Sequence, residues 1–136
     1  MIGIINYGMG NVGSIYNILK RIGGKAIICS KVEDLNKCEK IILPGVGSYD
    51  KAVEKLESSG FIKSIKDKVL FGAPFLGICL GMQLFSDMSE EGNVSGLGWI
   101  SGKTVRLSKE NQTIKIPHIG WETVKQFGVR KSLLLA

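Results

Sequence analysis

With one histidine in 136 residues, His118, and three cysteines at unrelated spacings, the sequence has little from which to build a metal centre or a disulfide framework. No Cys/His pair stands at zinc-ligand spacing, so no metal is expected. No stretch approaches the roughly 18 consecutive apolar residues of a membrane span. The chain opens directly on the strand-like Met1-Ile2-Gly3-Ile4-Ile5, without the basic segment and long apolar run of a signal peptide. Internal repeats and low-complexity segments are also missing. These absences predict a soluble cytoplasmic protein with reduced thiols and no membrane partner.

The net charge of +6 raises the question of an anionic partner. However, the lysines are scattered among acidic residues, as in Asp50-Lys51-Ala52-Val53-Glu54-Lys55-Leu56-Glu57, the pattern of a solvated helix face with opposite charges three or four residues apart. No basic stripe is interleaved with aromatics, so no nucleic-acid partner is expected. With 44% hydrophobic residues, the chain suits one domain around one core.

Strand and helix signals alternate through the first 90 residues, which predicts a mostly parallel sheet with helices on both faces. Strands are expected at 1–6, 26–29, 40–43 and 74–78, and helices at 12–22, 48–58 and 61–69, the first ending at Gly23-Gly24. Ser30-Lys31-Val32-Glu33 reads as a capping box opening a short helix. From Leu80 the pattern predicts a helix to about Met88. Beyond residue 90, Gly92, Gly96, Gly98 and Gly102 exclude a helix. Residues 103–107 and 114–116 alternate as strands of a hairpin-like excursion carrying Pro117-His118-Ile119-Gly120-Trp121.

The most informative stretch is Gly77-Ile78-Cys79-Leu80-Gly81-Met82, a cysteine between two glycines at the junction of an apolar strand and a helix. A nucleophile forced into a sharp strand-to-helix turn leaves no room for neighbouring Cβ atoms, hence glycine on both sides. Amide N–H groups at the helix start favour a thiolate and can bind an oxyanion, that of Leu80 above all. Cys29 and Cys38 lack such flanks and are read as structural.

Two glycine motifs accompany this elbow. Gly8-Met9-Gly10-Asn11-Val12-Gly13 is a literal G-x-G-x-x-G between a strand and a helix, with Glu33 about twenty residues on, as a dinucleotide site would have. Glu33 lies in the capping box instead of at the end of strand two, which weighs against that reading. Pro44-Gly45-Val46-Gly47 ends a strand that should neighbour the one delivering Cys79, so its backbone can face the elbow at the carboxyl end of the sheet, where ligands of open α/β sheets bind.

Gly77-Ile78-Cys79-Leu80-Gly81-Met82-Gln83, Pro44-Gly45-Val46-Gly47, Tyr7-Gly8-Met9-Gly10-Asn11 and Pro117-His118-Ile119-Gly120-Trp121 together resemble class I (triad-type) glutamine amidotransferases. Within that family the chain is most similar to glutaminase subunits of imidazole glycerol phosphate synthases. The resemblance implies a flavodoxin-like three-layer α/β sandwich with a small β excursion after residue 90, and no cofactor. It implies that Cys79 attacks the side-chain amide of glutamine and that Leu80, Gly45 and Val46 supply the oxyanion hole. Gly47 and Gln83 would line the glutamine pocket, and Asn11, His118 and Trp121 would face a (β/α)8-barrel cyclase in a heterodimer.

The departures carry expectations too. Family members are longer and complete their triad with a His and a Glu in an H-x-E arrangement, whereas the one histidine here sits in Pro-His-x-Gly-Trp. Residues 1–136 are therefore expected to be one amidotransferase domain incomplete at its C-terminus, impaired in catalysis on its own. Asn6, Ser101 and Glu122 also differ from the family's usual residues. They leave open a paralogue serving sugar amination in surface-polysaccharide synthesis, or a partner-binding fragment without turnover.

Overall fold

The computed structural model describes residues 1–107, 116, 119–123 and 125. Met1–Arg106 forms one compact unit and Leu107–Ala136 a second. The expected strand at 114–116 and His118 lie outside the described residues, apart from Ile116.

Four strands, β1 (Ile2–Ile5), β2 (Ala26–Cys29), β3 (Lys40–Gly45) and β4 (Phe75–Cys79), form a parallel sheet in the order β2-β1-β3-β4. Helix α1 (Val12–Arg21) links β1 to β2, and α2 (Tyr49–Ser58) and α3 (Phe61–Leu70) link β3 to β4. The chain thus leaves β1 in one direction and crosses back beyond it to β3. Right-handed crossovers then put α1 on one face and α2 with α3 on the other. This is the α/β architecture expected from the alternating pattern. It creates a switch point between β1 and β3, where loops leave the carboxyl ends of strands in opposite directions.

The core lies between the sheet and the α2/α3 layer. Ile5, Cys29, Ile41 and Leu43 share that face by alternation and pack with Tyr49, Ala52, Val53, Leu56, Phe61 and Ile65. The apolar spacing of α2 is fully used, since its four buried residues are Tyr49, Ala52, Val53 and Leu56 while its lysines and glutamates face water. Helix α1 is different. None of its residues is fully buried, and Ile18 is 52% exposed. Its end is the expected one: Gly23 is left-handed (φ +83°), Gly24 N–H donates to the Leu19 carbonyl at 2.8 Å and Gly23 N–H to that of Lys20 at 3.1 Å. Gly72 (φ +86°) closes α3 in the same manner.

Three local expectations need correction. The turn after β2 is a 3₁₀ helix, Val32–Lys37, and Asp34 rather than Glu33 caps it, its carboxylate accepting from the Ser30 and Lys31 amides at 3.1 Å each. Helix α4 spans only Leu80–Gln83. Ser86 Oγ donates to the Gln83 carbonyl, while the Leu84 carbonyl accepts from Leu97 and that of Phe85 from Trp99 and Ile100. Carbonyls that a longer helix would need are thereby taken by side-chain and long-range donors. Finally, the strand expected at 103–107 is Lys103–Thr104 alone (β6), paired in parallel with Met88–Ser89 (β5), while its expected hairpin partner at 114–116 lies outside the described residues apart from Ile116. Among the described residues no helix is long and apolar enough to cross a membrane.

Tyr7 closes β1 with its ring in the core, and its hydroxyl is buried with no hydrogen-bond partner among the described residues. Burial pushes its pKa from 10.0 up to about 12. Burial, and next the hydrogen bond with Cys38, pushes the Cys29 thiol from 9.0 up to about 12. Both folded values exceed the unfolded ones. The stability that these groups contribute is therefore complete below about pH 9 and is lost as pH rises toward 12, at about 1.4 kcal/mol per unit of separation. Tyr7→Phe should be neutral or stabilising by up to ~1–2 kcal/mol at pH 7, because an orphaned hydroxyl is removed. It should also flatten the alkaline limb, and thermal melts across the range from neutral pH to about pH 11 check both expectations.

Candidate functional site

Cys79 is the last residue of β4 and the only described non-glycine residue with positive φ (φ 54°, ψ −120°). That conformation is costly for an L-residue and persists only where the surroundings over-determine it. The surroundings are backbone. A Cβ on Gly81 would collide with the Leu43 carbonyl oxygen and stand 2.9 Å from its carbon, and one on Gly45 would stand 2.6 Å from the Gly81 nitrogen. On Gly77 it would meet the Met82 Cα and the Phe85 ring, both at 2.6 Å. The elbow is thus pressed onto the end of β3, with Cys79 paired in register with Gly45, and glycine is required at all three contacts.

The turn exposes the thiol, while Cys29 and Cys38 are buried, as their flanks suggested. Leu80 is buried and anchors the turn from beneath. Because α4 is a single turn, the dipole of a long helix assumed from the sequence is replaced by the amides of that turn alone. Val46 is 55% exposed beside this turn, and Gly47 has φ +108°. Gln83 is half-buried with Oε1 lacking any partner among the described residues.

The loop after β1 completes the group. The Met9 Cε lies 3.1 Å from where a Gly47 Cβ would stand, and a Gly10 Cβ would stand 3.0 Å from the Pro44 Cβ. Met9 and Gly10 therefore pack against Pro44–Gly47. This arrangement speaks against the dinucleotide reading. Asn11 Oδ1 accepts from the Ser14 amide at 3.1 Å and occupies the start of α1, and a Cβ on Gly13 would meet only that atom, at 3.9 Å. The third glycine of a dinucleotide fingerprint is needed for close helix–strand packing, which is absent at Gly13.

Sequence reasoning missed the supports of the elbow. Phe75, Phe85 and Trp99 cluster with ring centroids 4.9–5.8 Å apart, and the Phe85 ring fills the space left by Gly77. Asp50 Oδ1 accepts from the amides of Asn93 at 2.8 Å and Val94 at 3.3 Å, tying the later loop to α2. Asn6 donates through Nδ2 to Ser30 Oγ at 3.2 Å. Asn11 is exposed in the first unit, and in the second Trp121 is fully exposed, as is nearly all of Ile119.

A profile of the CobB/CobQ-like glutamine amidotransferase domain matches residues 5–127. The chain belongs to that family. It is 49% identical over 134 residues to imidazole glycerol phosphate synthase subunit HisH 2 of Methanococcus maripaludis, covering 98% of this chain and 65% of that protein. It is 42% identical over 137 residues to subunit HisH of Leptospira interrogans, covering 98% and 67%. The HisH subunit of Prochlorococcus marinus is 47% identical over 92% of this chain and 58% of its own length. The chain thus spans about two thirds of the length of these relatives. A crystal structure of a glutamine amidotransferase superposes with a TM-score of 0.57 at 22% identity, over 65% of this chain and 47% of the other. A putative peptidase E of Listeria monocytogenes gives 0.54 at 16%, over 63% and 49%. At such identities the likeness is one of fold.

The contacts at each glycine separate their roles in stability. Gly81→Ala should destabilise the fold by about 1–3 kcal/mol or more, since β3 backbone must move. Gly13→Ala, in open helix, should stabilise it by roughly 0.4–1 kcal/mol. Urea unfolding of the two variants beside the parent checks this contrast.

Proposed function

We propose that this chain carries the nucleophile of a glutaminase that feeds ammonia to a synthase partner, as in imidazole glycerol phosphate formation in histidine biosynthesis. The observation that carries this reading is the strained, exposed Cys79 in register with Gly45 across β3 and β4. Family membership and the HisH relatives support it.

In this reading the Cys79 thiolate attacks the side-chain carbonyl carbon of glutamine, and the carbonyl oxygen takes up negative charge. Amides of Leu80 and of the Gly45–Val46 segment stabilise that charge, the contribution that weighs most in acyl transfer. Collapse expels ammonia after a proton reaches it and leaves a glutamyl thioester, which water hydrolyses to glutamate. Gly47, which has no side chain, and the orphaned Oε1 of Gln83 line the glutamine pocket. Ammonia released into water would be protonated and lost. A closed interface with a (β/α)8-barrel cyclase, reached through Asn11, His118 and Trp121, preserves it. The free thiol requires a reducing compartment, the cytoplasm.

Proton delivery to the leaving ammonia and activation of the hydrolytic water need a general acid–base, worth about 10²–10⁴-fold. The only histidine among these 136 residues is His118, in the segment assigned to the partner. The 136 residues alone should therefore be slow in both acylation by glutamine and hydrolysis, whereas alkylation of Cys79 by a reagent that carries its own leaving group needs neither proton transfer. A glutamine-derived chloroketone should label Cys79 once per chain, with protection by glutamine and no labelling of Cys79→Ala, while steady-state ammonia release by this chain stays near background. If iodoacetamide alkylates Cys79 but the chloroketone does not, no glutamine pocket exists and the proposal fails.

A further inference from the structure

Cys29 and Cys38 are not used by the elbow, yet they are brought together. Cys29 ends β2, Cys38 precedes β3, and β1 lies between those strands. Their sulfurs stand 3.7 Å apart, both buried. The reason lies in β1. Gly3 has no side chain, and a Cβ there would stand 2.7 Å from the Cys38 Sγ and 3.0 Å from that of Cys29. The two thiols fill the gap left by one glycine in the middle strand. Beside Cys38 an open surface depression of about 410 Å³ lies at the amino ends of β3 and β4, lined by Cys38, Lys68, Phe71 and Pro74 among others. Lys68 Nζ donates to the Cys38 carbonyl at 2.9 Å on its rim. Cys38 thus borders open space, and Cys29 lies behind it.

We propose that Cys29 and Cys38 form a redox clasp: hydrogen peroxide reaching Cys38 from this depression converts the pair into a disulfide that ties the end of β2 to the start of β3 over Gly3. The Cys38 sulfur takes an oxygen from the peroxide, giving a sulfenic acid and one water. Cys29 sulfur then attacks the Cys38 sulfur, forming the S–S bond and releasing a second water. Overall two thiols are oxidised by two electrons and one peroxide is reduced. The bond closes a short loop around the 3₁₀ turn and restricts the unfolded chain. This inference is independent of the glutaminase reading.

The test treats the folded chain with hydrogen peroxide, quenches, alkylates free thiols under denaturing conditions and maps the peptides. The Cys79→Ala variant is used to keep the exposed thiol out of the exchange, and the parent is run beside it to confirm that peroxide oxidises Cys79. A peptide pair joined through Cys29 and Cys38 is expected, with a rise in thermal midpoint of roughly 5–10 °C that dithiothreitol reverses. Neither should occur in the Cys79→Ala chain also carrying Cys38→Ser. Recovery of both residues as free thiols while parental Cys79 is oxidised would overturn the proposal. So would a Cys38 sulfinic acid without a disulfide, or a disulfide that forms only in urea.

Discussion

The structure depends on a contact between main chains, where the ends of β3 and β4 approach so closely that no side chain fits between them. Gly45, Gly77 and Gly81 each face backbone or a ring at about 3 Å or less. The positive φ of Cys79 is the geometric outcome of that approach. The strain is held by what packs around the turn: Leu80 beneath, the Phe75–Phe85–Trp99 cluster behind, and amides of Leu97, Trp99 and Ile100 bonded to the carbonyls of Leu84 and Phe85. A thiol is presented to solvent because the residues beneath it are packed.

The same logic links the three loops at the carboxyl ends of the strands. The loop after β1 rests on the one after β3, through Met9 on Gly47 and Gly10 on Pro44, and the one after β3 rests on the elbow after β4. Main-chain segments with positive-φ glycines, Gly8, Gly10 and Gly47, thus abut in series across the switch point of the sheet. In the proposed reaction this places oxyanion donors on a segment buttressed from both sides. The core face of the sheet holds a different arrangement, two thiols sharing the space over a single glycine.

Much of the fold was legible because its signals are local. Strand β2 matches its expected bounds, helices α1 to α3 begin and end within two residues of expectation, and the left-handed Gly23 closes α1. The spacing of Gly77, Cys79 and Gly81 read correctly as an exposed cysteine on a turn. Where the reading failed, a distant partner intervened. Helix α4 is cut to one turn by donors more than ten residues away, and the cap on the 3₁₀ turn belongs to Asp34, one residue from the expected carboxylate. The G-x-G-x-x-G pattern misled because sequence cannot tell a glycine that admits phosphate from one that admits Pro44.

By itself the sequence determined the alternation of elements, the class of the sheet and which cysteine stands exposed at a turn, since periodicity, capping and glycine spacing act over a few residues. Only the tertiary structure decided which glycines stand against backbone, which of three cysteines face each other, and which carbonyls a helix keeps. Those outcomes depend on distances of a few tenths of an ångström between segments remote in sequence, and steric exclusion at that range follows from how the chain packs.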